Sequence, residues 1–170
     1  EFPILYYYLG LTYLYRLDAR CEERFLQFLK SKNKQKFAAS TLQKLSWWYF
    51  LNGDEFRYET TKQKLISLTN LRTERDLQAQ KEAHYSLNKK LLHTRILWDG
   101  GYTQEAQSIL QTVKISALTD KTFQAEYYYR MGQLSGQPKN KDDAIKYYKK
   151  AIEIGTSLPR CFAAKSSLQL

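Results

Sequence analysis

Apolar positions recur along this chain at intervals of three and four residues, separated by short polar turns. The clearest run lies near the C-terminus, where Asp142 and Asp143 lead into residues 144–155. Ala144, Tyr148 and Ala151 fall at i, i+4 and i+7 on one face, and lysines occupy the other, which predicts an amphipathic helix. The acids open it where the helix dipole favours negative charge, and Gly155 ends it. Twelve residues before Ala144 sits Gly132, inside 126–134, which predicts a preceding helix with Gly132 at a close crossing. The pattern predicts another pair over 91–97 and from 104, with Ala106 and Leu110 on one face and the turn at 98–102. Further back, a helix over 42–51 meets the turn Asn52-Gly53-Asp54, where Gly53 supplies a positive φ and Asp54 caps the next helix. An apolar, tyrosine-rich run from Ile4 to Leu17 predicts the first helix, and Asp18 to about Leu29 a second. The polar stretch 71–86 is helix-compatible and is expected to lengthen the preceding helix or add a turn.

Composition narrows this to an all-α chain. Three prolines and seven glycines in 170 residues are too few for a β-sandwich or barrel of this size. A hydrophobic share of 43% with a mean hydropathy of −0.61 fits a globular core, and no apolar run is long enough to span a bilayer. Cys21 and Cys161 stand far apart without a CxxC or a histidine at ligand spacing, so a zinc site or disulfide framework is not expected. The sequence opens at Glu1 without a methionine and stops at Leu170 inside a helix-like segment, and so reads as a piece of a longer chain.

The spacing from Ala125 to Pro159 is 34 residues, and Leu9-Gly10 with Tyr13 reads Leu-Gly-x-x-Tyr. With the Ala-centred helices at Ala106 and Ala144, the chain resembles the tetratricopeptide repeat (TPR) superfamily. The resemblance implies a right-handed α-solenoid of about four and a half helix pairs in one repeat domain. Its units would be 3–38, 39–86, 87–124, 125–158 and a half repeat 159–170, the last opened by Pro159. Spacing between equivalent positions is uneven, 36 from Gly10 to Ser46 and 48 from Ser46 to Thr94, with the excess in 71–86. The runs 13–18, 45–54 and 96–102 also resemble uncharacterised bacterial TPR proteins of the cell envelope, which points to the periplasmic side.

In that superfamily the first helices line a concave surface. The resemblance places Tyr7, Leu11 and Tyr15 there, then Gln43, Trp47 and Phe50, then Asn88, Leu91, Arg95, Trp98 and Asp99, then Tyr129 and Gln133. Aromatic anchors beside an arginine are what interface hot spots are made of. The expected role is a protein–protein scaffold holding a peptide or helix of a partner. Aromatics at helical spacing also fill cores, and a one-residue slip would bury Trp47 and expose Trp48. At the slots where chaperone-binding TPRs clamp a terminal carboxylate, only Lys44 and Asn88 are polar, and neither is at the right one.

Catalysis, a metal and a cofactor are not expected. His84 and His93 have no nucleophile or carboxylate at a telling spacing, and Glu22-Glu23 and Asp142-Asp143 are adjacent pairs that point to different helix faces. Asp99-Gly100-Gly101 reads as an inter-helix turn rather than a phosphate loop. Two alternatives stay open. One is an architectural or self-associating module, through Phe162, Ala163 and Leu168 of the half repeat. The other follows from a net charge of +10 and a pI near 9.5: an anionic partner, nucleic acid or acidic protein, met by Lys30 to Lys36 and Lys139 to Lys150. Lysines and groove aromatics are expected on different faces, which argues against nucleic acid.

Overall fold

A computed structural model describes residues 2–31, 36–71, 73–135 and 141–170. Among these the chain is all-α, with ten α-helices and no strand, and no helix is long and apolar enough to cross a membrane. It divides into two compact units, 1–89 and 90–170.

In the first unit, α1 (Ile4–Tyr15) pairs with α2 (Arg20–Lys30). Gly10 makes the pairing tight: a Cβ there would sit 2.5 Å from the Phe25 ring, so the aromatic lies directly on the α1 backbone. Tyr7, Leu14, Cys21, Phe25 and Phe28 are all buried around it. α3 (Ala38–Asn52) and α4 (Glu55–Ile66) form the next pair. Between them Gly53 takes φ 74°, and the Asp54 side chain accepts a hydrogen bond from Arg57 N at 2.9 Å, as the turn sequence predicts.

The polar stretch after α4 departs from expectation. It neither lengthens α4, which stops at Ile66, nor adds a mere turn, but forms a separate helix, α5 (Glu74–Glu82). The reason is polar. Thr73 caps α5 by accepting from Asp76 N, and the buried Asp76 carboxylate (1% exposed) reaches 36 residues back along the chain. There it accepts from Phe37 N and Ser40 N, both at 3.0 Å, satisfying orphan donors at the start of α3. Phe37 itself has φ 71°, a costly setting for a bulky residue. The Asp76 bond and stacking on Tyr7, 5.0 Å between centroids, hold it there. Gln80 of α5 then donates to the carbonyls of Leu65, Ile66 and Leu68, closing the end of α4. One short helix thus caps two others.

In the second unit, α6 (Lys89–Asp99) and α7 (Thr103–Gln111) are antiparallel, with Lys90 Nζ donating to the Thr112 carbonyl at 3.0 Å. Gly101 at φ 82° makes the turn, and Ala106 and Leu110 are fully buried. A 3-10 turn (Ile115–Ala117) leads to α8 (Lys121–Ser135), α9 (Lys141–Gly155) and α10 (Phe162–Ser167). Gly132 repeats the device of Gly10: an added Cβ would lie 2.5 Å from the Tyr148 ring. Ala125, Tyr129, Ala144, Tyr148, Ala151 and Phe162 form one core around that contact. The final helix is shorter than expected, beginning at Phe162 rather than at Pro159, because residues 156–161 turn the chain back onto α8 and α9. Phe162 is consequently buried, whereas Leu168 is 83% exposed.

Two outcomes test this packing. Alanine at position 132 gains about 1 kcal/mol of helix propensity but overpacks a buried ring, which costs about 1–3 kcal/mol. Gly132→Ala should therefore lower stability in urea denaturation, and combining it with Tyr148→Leu should recover part of the loss. The second outcome concerns alkali. Burial and then the Glu22 carboxylate push the Cys21 thiol up from 9.0 to about 12 and the Tyr49 phenol from 10.0 to about 12. Both keep protons in the folded chain that they lose when unfolded. Stability should be full below about pH 9 and fall as pH rises toward 12. Cys21→Ala and Tyr49→Phe should flatten that slope in denaturation series run between those limits.

Candidate functional site

In the second unit, α6, α8 and the turn before α10 each contribute to a cluster of charged and aromatic groups. Along α8, Glu126, Tyr129, Arg130 and Gln133 fall at i, i+3, i+4 and i+7, one stripe of the helix. Glu126 and Arg130 are 6% and 4% exposed. The Glu126 carboxylate accepts from Arg130 Nη2 at 3.4 Å and from Arg160 Nη1 at 3.3 Å. Arg130 Nη1 donates to Gln133 Oε1 at 2.9 Å, and Gln133 Nε2 donates to the Tyr129 hydroxyl at 3.1 Å. From α6, Arg95 and Asp99 pair at 3.9 Å with side chains 22% and 35% exposed. The cluster therefore grades from a buried ion pair to a solvent-facing one.

Its electrostatics follow from burial. Desolvation lowers the pKa of Arg130, Glu126 opposes that shift, and the Arg95 charge adds to it. Burial raises Tyr129, against the pull of Arg130 and Arg95. The Tyr129 ring is wedged between Tyr148 and Phe162, with centroids at 6.1 and 5.7 Å, while its hydroxyl joins the polar stripe. Such an arrangement positions donors rigidly, because each side chain is held by another. It contains guanidiniums, carboxylates, an amide and a phenol, which suit holding a polar or carbonyl-bearing chain.

The expected groove residues divide sharply. Tyr7 is 1% exposed, enclosed by Phe25, Phe28 and Phe37, with its hydroxyl 2.9 Å from Ser40 Oγ. Gln43 and Trp47, at 6% and 4%, lie beneath the segment that follows α4. Gln43 Nε2 donates to Glu82, and Trp47 shares a small cavity with Ala83, Tyr85 and Leu87. All three side chains are covered rather than presented: Tyr7 by the aromatic rings around it, and Gln43 and Trp47 because α5 and its trailing residues occupy that side of α3. Trp48 is the more exposed of the two tryptophans. Phe50 packs on Tyr58 of α4 at 5.2 Å, and Tyr15 lies half-buried close to Arg75. Leu11 and Asn88 are half-buried in the same unit, and Leu91 is fully buried in the second. Arg95, Trp98 and Asp99 keep partial or full exposure, and Tyr129 is buried as a ring that shows only its polar edge to Gln133.

Glu126, Arg130 and Arg160 escaped the sequence reading. The Glu126–Arg130 spacing of four is visible in the sequence, but Arg160 joins it only through the chain reversal before α10. Lys32, Lys34 and Lys139 of the lysine runs lie outside the described residues. Lys30, Lys36, Lys146, Lys149 and Lys150 are exposed, and Lys150 Nζ sits 5.2 Å over the Tyr128 ring. Comparison of the chain with protein-family models, curated proteins and solved structures finds no match.

Glu126 pairs with the buried Arg130 guanidinium and with the nearly buried Arg160, so removing its charge takes a carboxylate from both, and from Arg130 at full burial. Glu126→Gln should destabilise the chain by about 3 kcal/mol in chemical denaturation. An unchanged midpoint would show that the buried pair is not what orders this stripe.

Proposed function

We propose that the chain is a helical-repeat scaffold of the TPR kind that holds an extended peptide or helix of a partner protein. The observation that carries this reading is the ordered stripe of Arg95, Asp99, Tyr129, Gln133 and Arg160, supplied by α6, α8 and the turn before α10. Support for the repeat comes from helix pairs closed by the same contact, a glycine on the first helix and an aromatic on the second. Peptide recognition fits the groups present: fixed guanidinium and amide donors for backbone carbonyls, with Trp98 as the nearby apolar anchor. The binding surface is smaller than the sequence alone implies, since Tyr7, Gln43 and Trp47 are enclosed within the first unit.

Selection from a random displayed peptide library tests it, using the whole chain as bait. Enriched peptides should bind wild type and lose about tenfold or more in affinity to an Arg95→Ala/Trp98→Ala variant of unchanged helicity. Failure to enrich any peptide, or binding indifferent to that variant, would count against the reading.

A further inference from the structure

A second surface lies on the first unit and shares no residue with the candidate site. α2 and α4 flank the outer side of α3 and leave a groove of about 620 Å³ between them. Leu42 and Leu45 of α3 form its floor; Leu26 and Leu29 of α2 and Phe56 of α4 form its apolar walls. Leu26 is 37% exposed and Phe56 80%, so large apolar side chains stand at an open edge rather than closing over a core.

Among the described residues, the charged side chains that line this groove have one sign. Its charged lining residues are Lys30, Arg57 and Lys64, with no carboxylate among them. Arg57 is already held by Asp54 and Glu22, each at 2.6 Å. Lys30 and Lys64 make no ion pair among the described residues. The Arg57–Glu22 bond joins the first turn of α4 to the first turn of α2, so the two walls run parallel. Their last turns therefore bring Lys30 and Lys64 to the same end of the groove, together with the negative ends of both helix dipoles. At 11 and 12 residues the walls are about 16–18 Å long, room for roughly three turns of a further helix.

We infer that this groove docks an amphipathic α-helix of a partner protein, its apolar stripe on Leu26, Leu42, Leu45 and Phe56 and acidic residues of its first turn against Lys30 and Lys64. The bound helix runs antiparallel to α2 and α4, which sets its positive N-terminus against their negative C-termini. Acidic side chains in that turn reach the two lysines, and apolar residues at i, i+3 or i+4 and i+7 fill the channel. Neither the peptide stripe of the second unit nor the buried groove aromatics take part, so this surface and the proposed peptide site can succeed or fail separately.

The test uses a displayed library of amphipathic helical peptides of about fourteen residues, in which the first turn is varied among Asp, Glu, Asn, Gln and Lys. Selected peptides are then titrated by fluorescence anisotropy against wild type, Leu26→Glu/Phe56→Ser and Lys30→Glu/Lys64→Glu. All four positions are partly or fully exposed, and circular dichroism checks that each variant keeps its helicity. The expected result is enrichment of acidic first turns and a loss of about tenfold in affinity for both variants. Peptides with lysine in the first turn should regain binding to the Lys30→Glu/Lys64→Glu chain. Enrichment without an acidic preference, or titrations that neither variant alters, would overturn the inference. So would sedimentation showing that wild type dimerises and Leu26→Glu/Phe56→Ser does not, since a second copy would then be the occupant.

Discussion

A missing Cβ sets the geometry of both units. Where Gly10 meets Phe25 and Gly132 meets Tyr148, the ring of the second helix rests on the backbone of the first. The ring edges come within 2.5 Å of where a Cβ would be, a distance at which the ring or a helix has to shift. Close approach then decides what else is buried. Around Tyr148, Ala125 of α8 and Ala144 and Ala151 of α9 share the core with the larger Tyr129 and Phe162 rings. Around Phe25, the large neighbours Phe28, Leu14 and Tyr7 take up the space that a tight crossing leaves at its ends. Packing density rather than propensity explains why two glycines stand in helix interiors, where each would otherwise cost about 1 kcal/mol.

Among the described residues, each unit also has one buried carboxylate that does what apolar packing cannot. Asp76 supplies acceptors for the start of α3, and Glu126 draws Arg130 and Arg160 together at the side of α8. They differ in accessibility of consequence. Asp76 satisfies backbone donors and thereby closes a structural gap, with α5 sealing the side of α3 that carries Gln43 and Trp47. Glu126 compensates side-chain cations, and the network it anchors continues outward through Arg130, Gln133 and Tyr129. The first arrangement ends in a closed core. The second ends at the partly exposed Gln133, which places fixed donors beside solvent.

The high positive charge has a more local meaning than the net count conveys. Arg20 and Arg57 are spent on short bonds to Asp18, Asp54 and Glu22, and Arg130 is buried. Lysines on α9 lie on its solvent face, with Lys150 against Tyr128. Lys30 and Lys64 stand apart because they share one end of an apolar channel. Position beside apolar surface gives a charge its selectivity; a solvated lysine on an open face has none.

Local chemistry was legible in the sequence wherever a single turn or helix face decides the outcome. The all-α class, the Gly53–Asp54 turn and its cap, the end of α9 at Gly155, and Gly132 at a close crossing all follow from spacing, capping and backbone freedom. What the sequence could not decide was which side of a helix stays open. Trp47 and Gln43 have helical positions compatible with a groove, and they are buried because Asp76 and Gln80 pin a polar insertion across α3 and α4. Arg160 reaches Glu126 across 34 residues because the chain reverses before α10, and the channel between α2 and α4 lies over α3, with the two walls joined at their first turns by the Arg57–Glu22 bond. Periodicity reports which face of a helix is apolar. Only tertiary structure determines what covers that face, because long-range hydrogen bonds and chain reversals are not written in any local window.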